Sequence, residues 1–154
     1  MSAQAVLQRA RARAMRIATA ESCTGGMIIA ALTDIAGSSD VVECGFVTYS
    51  NNAKISMLGV KPETLARHGA VSEEVAAEMA LGALAHSDAD LAVSVTGIAG
   101  PGGSEHKPEG RVCFGLAQRG EPVFTETRDF GALGRANVRT ASCTHALTLL
   151  KERL

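Results

Sequence analysis

Three potential nucleophiles, Ser22, Cys23 and Thr24, lie side by side in the stretch ESCTGG, between an acidic residue and a pair of glycines. The run MRIATA before this stretch predicts a short buried strand, and MIIAALT after it predicts a helix. A serine in the turn between a strand and a helix is expected to be exposed. The backbone N–H groups of Gly25 and Gly26 can then stabilise an oxyanion, because a helix begins there. The pattern suits acyl transfer at this serine, although Thr-Gly-Gly equally suits a tight turn that caps the helix.

The residue types alone leave the choice of nucleophile open. Cysteine is intrinsically more nucleophilic than serine, and a helix N-terminus beside Cys23 would lower its pKa. Adjacent side chains after a strand point in opposite directions, so we expect only one of Ser22 and Cys23 to face the site. The other is expected to lie in the core, where free cysteine is common.

A serine nucleophile needs a base. A Ser-His-Asp triad has no support in the sequence, because none of the histidines lies in an acid-flanked motif: His68, His86, His106 and His145. Lysine can replace histidine where burial disfavours the ammonium ion and lowers its pKa. Lys54 is the candidate, since it closes the polar stretch TYSNNAK and precedes apolar residues. The alternative is a solvated lysine at the start of a helix.

A glycine- and proline-rich loop, IAGPGGSEHKPEG, follows the apolar segment LAVSVTG. Closely spaced N–H groups between Thr96 and Gly103 can form a nest for an anion. The loop does not fit G-x-x-x-x-G-K-[ST], so a P-loop is excluded by pattern. No HxxxH, no CxxC and no tight cluster of aspartates is present, and we therefore predict no metal site.

The elements that must position these groups alternate along the chain. Pro62 predicts the start of a helix that ends at Gly69, and Ser72 predicts the cap of the next helix. The segments RVCFGLAQ and PVFTETRDF predict a hairpin, and RANVRTASCTHALTLLKERL predicts a closing helix. Interleaved strands and helices predict a three-layer α/β fold, with helices on both faces of a mixed sheet.

Length and composition limit the possible partners. The chain has 154 residues, and we expect a single domain over 1–154. Its net charge is −1 and only 3% of its residues are aromatic, which argues against a nucleic-acid partner. Four cysteines without CxxC, and no export signal, predict reduced thiols in the cytoplasm. No apolar run approaches the roughly 20 residues of a membrane span, so no membrane partner is predicted.

Several long motifs carry a resemblance to a known family. TAESCTGG, GFVTYSNNAK, HGAVSEEVAAEMA and SVTGIAGPGGSEHKPEG, with the arginine-bearing last helix, resemble the CinA C-terminal-domain family, the nicotinamide-nucleotide amidases. The resemblance runs in order from about Ile17 to Leu150. It is to the stand-alone form, without the N-terminal molybdopterin-binding-like domain of longer relatives.

The resemblance implies an activity and a mechanism. The reaction is hydrolysis of the carboxamide of nicotinamide mononucleotide to nicotinic acid mononucleotide and ammonia, in pyridine-nucleotide recycling. The matching positions make Ser22 the nucleophile, Lys54 the base and Tyr49 an aid to proton relay. No metal or organic cofactor is implied.

The substrate-binding residues implied by the resemblance come from three segments. Arg135 and Arg139, one helical turn apart, are candidates for phosphate contacts, and a solvated arginine face is the alternative. The remaining candidates belong to the turn after the first strand and to the glycine loop: Thr24, Gly25, Gly26, Thr96, Gly97 and Gly100.

The apolar composition leaves room for a homo-oligomer, which we also expect.

A second functional class competes with the amidase. The same pocket would serve a non-catalytic domain that binds or senses a pyridine nucleotide in the response to competence or DNA damage. The presence of Ser22, Tyr49 and Lys54 together favours the enzyme.

Overall fold

The computed structural model describes residues 2–154. The helices in this range are α1 (Ser2–Ala12), α2 (Met27–Thr33), α3 (Asn51–Leu58), α4 (Pro62–His68), α5 (Glu73–Ala85) and α6 (Arg135–Arg153). The strands are β1 (Ile17–Glu21), β2 (Val42–Val47), β3 (Leu91–Gly97), β4 (Arg111–Gln118) and β5 (Phe124–Asp129). A short 3₁₀ helix, Ser38–Asp40, precedes β2.

The strands form one five-stranded sheet in the order β2-β1-β3-β4-β5. β1 pairs in parallel with both β2 and β3, whereas β3, β4 and β5 pair antiparallel. The sheet is therefore mixed, as predicted, and the expected β4–β5 hairpin is present. None of the helices in residues 2–154 is long and apolar enough to cross a membrane.

Alternating side chains of the strands face two separate cores. On β1, Ile17 packs in the cluster that includes residues of α1, α2 and α6. Its neighbour Ala18 packs in the cluster that includes residues of α3 and α5. This alternation follows from the two-residue period of a strand. Helices therefore cover both faces of the sheet, and the predicted three-layer α/β fold is confirmed.

Capping residues begin and end the helices around the sheet. Ser72 Oγ accepts the N–H of Val75 at 3.2 Å at the start of α5, as predicted. Ser50 does the same for α3, where its Oγ accepts the N–H of Ala53 at 3.0 Å. Lys54 therefore lies in the first turn and a half of a capped helix, with its backbone position fixed.

Parallel pairing brings the carboxyl ends of β1, β2 and β3 to one edge of the sheet. Chain segments that follow these strands carry Ser22, Tyr49 and the irregular loop 98–110. Ligands of open α/β sheets bind in the crevice outside such strand ends. The topology therefore places the candidate residues from distant parts of the sequence at a single edge.

Candidate active site

Ser22 is the first residue after β1. Its N–H donates to Val95 O at 2.9 Å, which continues the pairing with β3 and fixes the backbone at this residue. The side chain is nearly buried, and its Oγ lies 3.4 Å from Tyr49 O and 2.9 Å from Lys54 Nζ. The hydroxyl is therefore held against a basic group that comes from another element of the fold.

Lys54 is the largest of the fully buried side chains, with only 1% of its surface exposed. Its Nζ lies 3.0 Å from Thr48 O and 3.1 Å from Tyr49 O, in addition to its contact with Ser22. Burial lowers the pKa of Lys54, because an ammonium ion loses hydration there. The alternative of a solvated lysine at a helix start is thus wrong.

The three contacts of Lys54 suit a neutral amine. An uncharged amine has two hydrogens to donate and one lone pair, and the two carbonyl oxygens can only accept. In the neutral form both hydrogens can go to Thr48 O and Tyr49 O. The lone pair is left to face Ser22 Oγ, which can donate its hydroxyl proton. This is the arrangement that a general base for a serine nucleophile requires.

Cys23 has a different environment from Ser22. It touches the cavity, but only 5% of its surface is exposed and it packs within the hydrophobic cluster of α1, α2 and α6. Burial raises the pKa of the Cys23 thiol to about 11. At neutral pH the group is thus a thiol, and the thiol is a poor nucleophile compared with a thiolate.

Backbone N–H groups at the start of α2 are already engaged. The N–H of Gly25 donates to Ser22 O at 3.0 Å, and that of Gly26 donates to the Glu21 carboxylate at 3.2 Å. These two N–H groups are therefore not free for the predicted oxyanion, because that of Gly25 closes the turn and that of Gly26 binds a carboxylate of the chain itself. Thr24 is fully buried, and its hydroxyl donates to the same carboxylate at 2.6 Å.

Arg139 braces the turn that carries Ser22. Its Nε donates to Cys23 O at 3.0 Å and its Nη2 to Thr24 O at 3.3 Å. Arg139 is not among the described residues that line the cavity. Arg139 is thus half-buried and bonded to the chain, which contradicts the alternative of a solvated face, while its phosphate contact stays a prediction.

A cavity of about 340 Å³ opens beside Ser22 and Lys54. Its other walls include the end of β3 at Thr96 and Gly97, the glycine loop at Gly100, and the start of α6. Arg135 reaches across from α6, with Nη1 on Gly100 O at 2.6 Å and Nη2 on Tyr49 Oη at 2.9 Å. Its guanidinium is the one cationic side chain, besides Lys54, among the described lining residues.

Tyr49 contacts the reactive pair through its backbone. Its carbonyl oxygen lies near both Ser22 Oγ and Lys54 Nζ, whereas its side chain is 62% exposed and its hydroxyl accepts from Arg135. Among the described residues, no hydrogen bond joins the phenol to Ser22 or Lys54. These contacts do not support the predicted proton relay through the phenol.

The described lining of this cavity contains no histidine and no set of metal ligands. No histidine is among its described lining residues, and His68 and His145 instead contact Glu74 and Glu126. Within residues 2–154, no group of three or more His, Cys, Asp or Glu side chains is arranged to hold a metal ion. The cavity therefore brings together Ser22, the buried Lys54 and Arg135.

The family model of the CinA C-terminal domain matches residues 1–154, the full length of the sequence. The chain belongs to the CinA C-terminal domain family.

Curated relatives and solved structures of this CinA-family chain agree with the assignment. Nicotinamide-nucleotide amidohydrolase PncC of Escherichia coli K12 is 54% identical over 145 residues, covering 93% of this chain and 87% of that protein. A CinA-like protein of Chloroherpeton thalassium is 53% identical over 94% of this chain, which spans only 35% of that longer protein. The crystal structure of competence/damage inducible protein CihA from Agrobacterium tumefaciens matches with a TM-score of 0.93 and 49% identity, covering 97% of this chain and 91% of that one.

Sequence reasoning missed two features of this CinA domain. One is the buried carboxylate of Glu21, which lies directly before Ser22 in the motif ESCTGG. An acidic residue at the end of a buried strand, six residues before the start of a helix, is a signal that could have identified it. The other is the use of the Thr48 and Tyr49 carbonyl oxygens to hold Lys54, for which the side-chain types give no signal.

Proposed function

We propose that the protein hydrolyses the carboxamide of nicotinamide mononucleotide to nicotinic acid mononucleotide and ammonia, with Ser22 as nucleophile and Lys54 as general base. The observation that carries this proposal is the buried Lys54 Nζ at 2.9 Å from Ser22 Oγ, beside a cavity. The relative from Escherichia coli K12 named nicotinamide-nucleotide amidohydrolase supports the substrate.

The first half of the reaction forms an ester. Neutral Lys54 takes the hydroxyl proton of Ser22 while the Ser22 oxygen attacks the carboxamide carbon. The resulting tetrahedral intermediate collapses as the C–N bond breaks, and Lys54 returns the proton to the departing nitrogen, so that ammonia leaves. The product of this half is a nicotinoyl ester on Ser22.

The second half releases the acid. A water molecule enters the position left by ammonia and gives a proton to Lys54 as its oxygen attacks the ester carbon. The Ser22 oxygen leaves and recovers the proton from Lys54. Nicotinic acid mononucleotide is released and the enzyme returns to its starting state, so that one water molecule is consumed for each ammonia formed.

The cavity offers complementary contacts for the rest of the substrate. Its volume, about 340 Å³, is within the usual range for small-molecule sites. Arg135 presents a planar guanidinium that can bind a phosphate through two hydrogen bonds. We propose that the substrate phosphate binds the Arg135 guanidinium in place of Tyr49 Oη and Gly100 O, while the end of β3 at Thr96 and Gly97 borders the ring or the ribose.

Ammonia release from nicotinamide mononucleotide by purified, chelator-treated protein tests the proposal. Wild type is compared with Ser22→Ala and Lys54→Ala, and we expect turnover in the wild type and its collapse in both variants. Nucleotide binding without ammonia from the wild type would favour a non-catalytic binding domain. Turnover that persists in Ser22→Ala would remove Ser22 from the mechanism.

We also propose a compartment and an oligomeric state for the protein. All four cysteines are free, which suits a reducing compartment such as the cytoplasm. The single-domain organisation, the homo-oligomer and the lack of a nucleic-acid partner stay predictions from the sequence.

A further inference from the structure

Glu21 is a buried carboxylate that the proposed reaction does not use. Glu21 has no exposed surface. Among the described residues, no cationic side chain forms a salt bridge with its carboxylate. Its oxygens instead accept the Thr24 hydroxyl at 2.6 Å and the N–H groups of Gly26, Ile28 and Ile29 at 3.2, 3.0 and 3.0 Å. A buried charge is tolerated where hydrogen bonds replace its hydration, as they do here.

These contacts tie the end of β1 to the start of α2. Glu21 is the last residue of β1, and its carboxylate binds backbone N–H groups five, seven and eight residues later. The intervening turn, residues 22–25, is thus closed at both ends around the nucleophile. Arg139 holds the same turn from α6 through the carbonyl oxygens of Cys23 and Thr24.

The carbonyl contacts also determine where the N–H groups of the turn point. In a trans peptide the C=O and the following N–H are antiparallel. The carbonyl of Ser22 accepts the N–H of Gly25 inside the turn, so the N–H of Cys23 points away from the turn interior. This N–H donates to no other residue within residues 2–154, and Cys23 borders the cavity. An N–H on the residue after a nucleophile is a recurrent oxyanion donor.

We propose that Glu21 is a positioning residue, whose buried carboxylate fixes the turn so that Ser22 meets Lys54 and the Cys23 N–H is free to stabilise the oxyanion. The inference rests on the proposed function. The Glu21 carboxylate also occupies the N-terminal end of α2 and removes it as a site for the substrate. The group that stabilises the oxyanion is instead the N–H of Cys23, in the peptide bond that follows Ser22.

The test compares Glu21→Gln with Glu78→Gln in ammonia release from nicotinamide mononucleotide. Glutamine keeps one acceptor oxygen but sets an amide NH₂ against the N–H of Ile29, so the turn shifts while the side-chain volume is kept. Glu78 is the matched control, because it accepts the Lys61 N–H at 2.8 Å and the Thr64 hydroxyl at 2.6 Å at the start of α4, another seven-residue helix.

The expected result for Glu21→Gln is a fall in kcat of about 100-fold with KM little changed, as for a small displacement of reacting groups. The rise of kcat/KM with pH that Lys54 produces is retained, which separates positioning from a base role for Glu21. Glu78→Gln keeps the wild-type kcat. A wild-type kcat in Glu21→Gln, or an equal fall in Glu78→Gln, would overturn the inference alone.

A second pair of variants keeps the test decisive if Glu21→Gln does not fold. Thr24→Val removes the hydroxyl that donates to Glu21, and Thr24→Ser restores a hydroxyl there. We expect Thr24→Ser to retain more of kcat than Thr24→Val, whereas equal values would overturn the inference. Absence of ammonia from the wild type would overturn the proposed function and this inference with it.

Discussion

Replacement of Lys54 by methionine should abolish turnover while the fold is retained. Methionine fills a similar volume but has no proton acceptor. Within residues 2–154, the partners of Ser22 Oγ are Lys54 Nζ and Tyr49 O, and the carbonyl oxygen is not a base at neutral pH. No other side chain is placed to take over. The loss should therefore lie at the upper end of the range for a general base, about 10³- to 10⁴-fold in kcat. That corresponds to about 4–5.5 kcal/mol in the activation barrier.

The pH dependence of kcat/KM provides the assay. Activity needs neutral Lys54, so log kcat/KM should rise by one unit per pH unit below the pKa of this amine and then level off. Because burial lowers that pKa, the plateau should begin below the usual lysine value of about 10.4. Lys54→Met and Lys54→Arg should both lose the rise, and Lys61→Met, an exposed lysine outside the cavity, should keep it. A profile that is flat in the wild type, or a rise that persists in Lys54→Met, would refute the reasoning.

Stability should show the same titration with a defined sign. The folded-state pKa of Lys54 lies below its unfolded-state value, so the unfolded chain binds more protons between those two pH values. The free energy of unfolding of the wild type, relative to Lys54→Met, should therefore increase with pH across that window. Each unit of pKa lowering contributes about 1.36 kcal/mol. Urea titrations of both proteins at several pH values measure this, and a difference that does not vary with pH would contradict it.

Three further changes have distinct expected results. Arg135→Met should raise KM for nicotinamide mononucleotide by about 10-fold with little change in kcat, since it removes a charge-assisted contact to the phosphate; steady-state kinetics would show whether kcat falls instead. Cys23→Ala should keep kcat within about threefold in the same assay, because a thiol with a pKa of about 11 is not the nucleophile. Gly82→Ala should lower the free energy of unfolding by roughly 1–3 kcal/mol in urea titrations, because a Cβ there would lie 2.0 Å from Leu58 O.

Local signals in the sequence predicted the elements well because their determinants are local. Ser72 caps α5 through its own hydroxyl, and Pro62 and Gly69 begin and end α4, as each residue's backbone preferences dictate. β1 is buried along its whole length, and its alternate side chains face the two cores because a strand has a two-residue period. The three-layer arrangement then followed from the interleaving of strands and helices.

The site depends on contacts that no local signal encodes. Ser22 and Lys54 are 32 residues apart and meet only because β1 and β2 pair in parallel and end at the same edge of the sheet. The family resemblance, rather than spacing, connected the two. The assignment of free N–H groups to Gly25 and Gly26 failed for a related reason. Local rules leave the first N–H groups of a helix without partners. They do not predict that the Glu21 carboxylate accepts these N–H groups at the start of α2.

Interception of the acyl-enzyme by hydroxylamine tests the central claim most directly. If Ser22 forms a nicotinoyl ester, hydroxylamine should compete with water and yield the hydroxamate of the mononucleotide, at the expense of the carboxylate product. Mass spectrometry of rapidly quenched wild type should place the adduct on the peptide that contains Ser22, and Ser22→Ala should form neither adduct nor hydroxamate. Turnover that yields only the carboxylate at every hydroxylamine concentration, or hydroxamate formation by Ser22→Ala, would contradict the account.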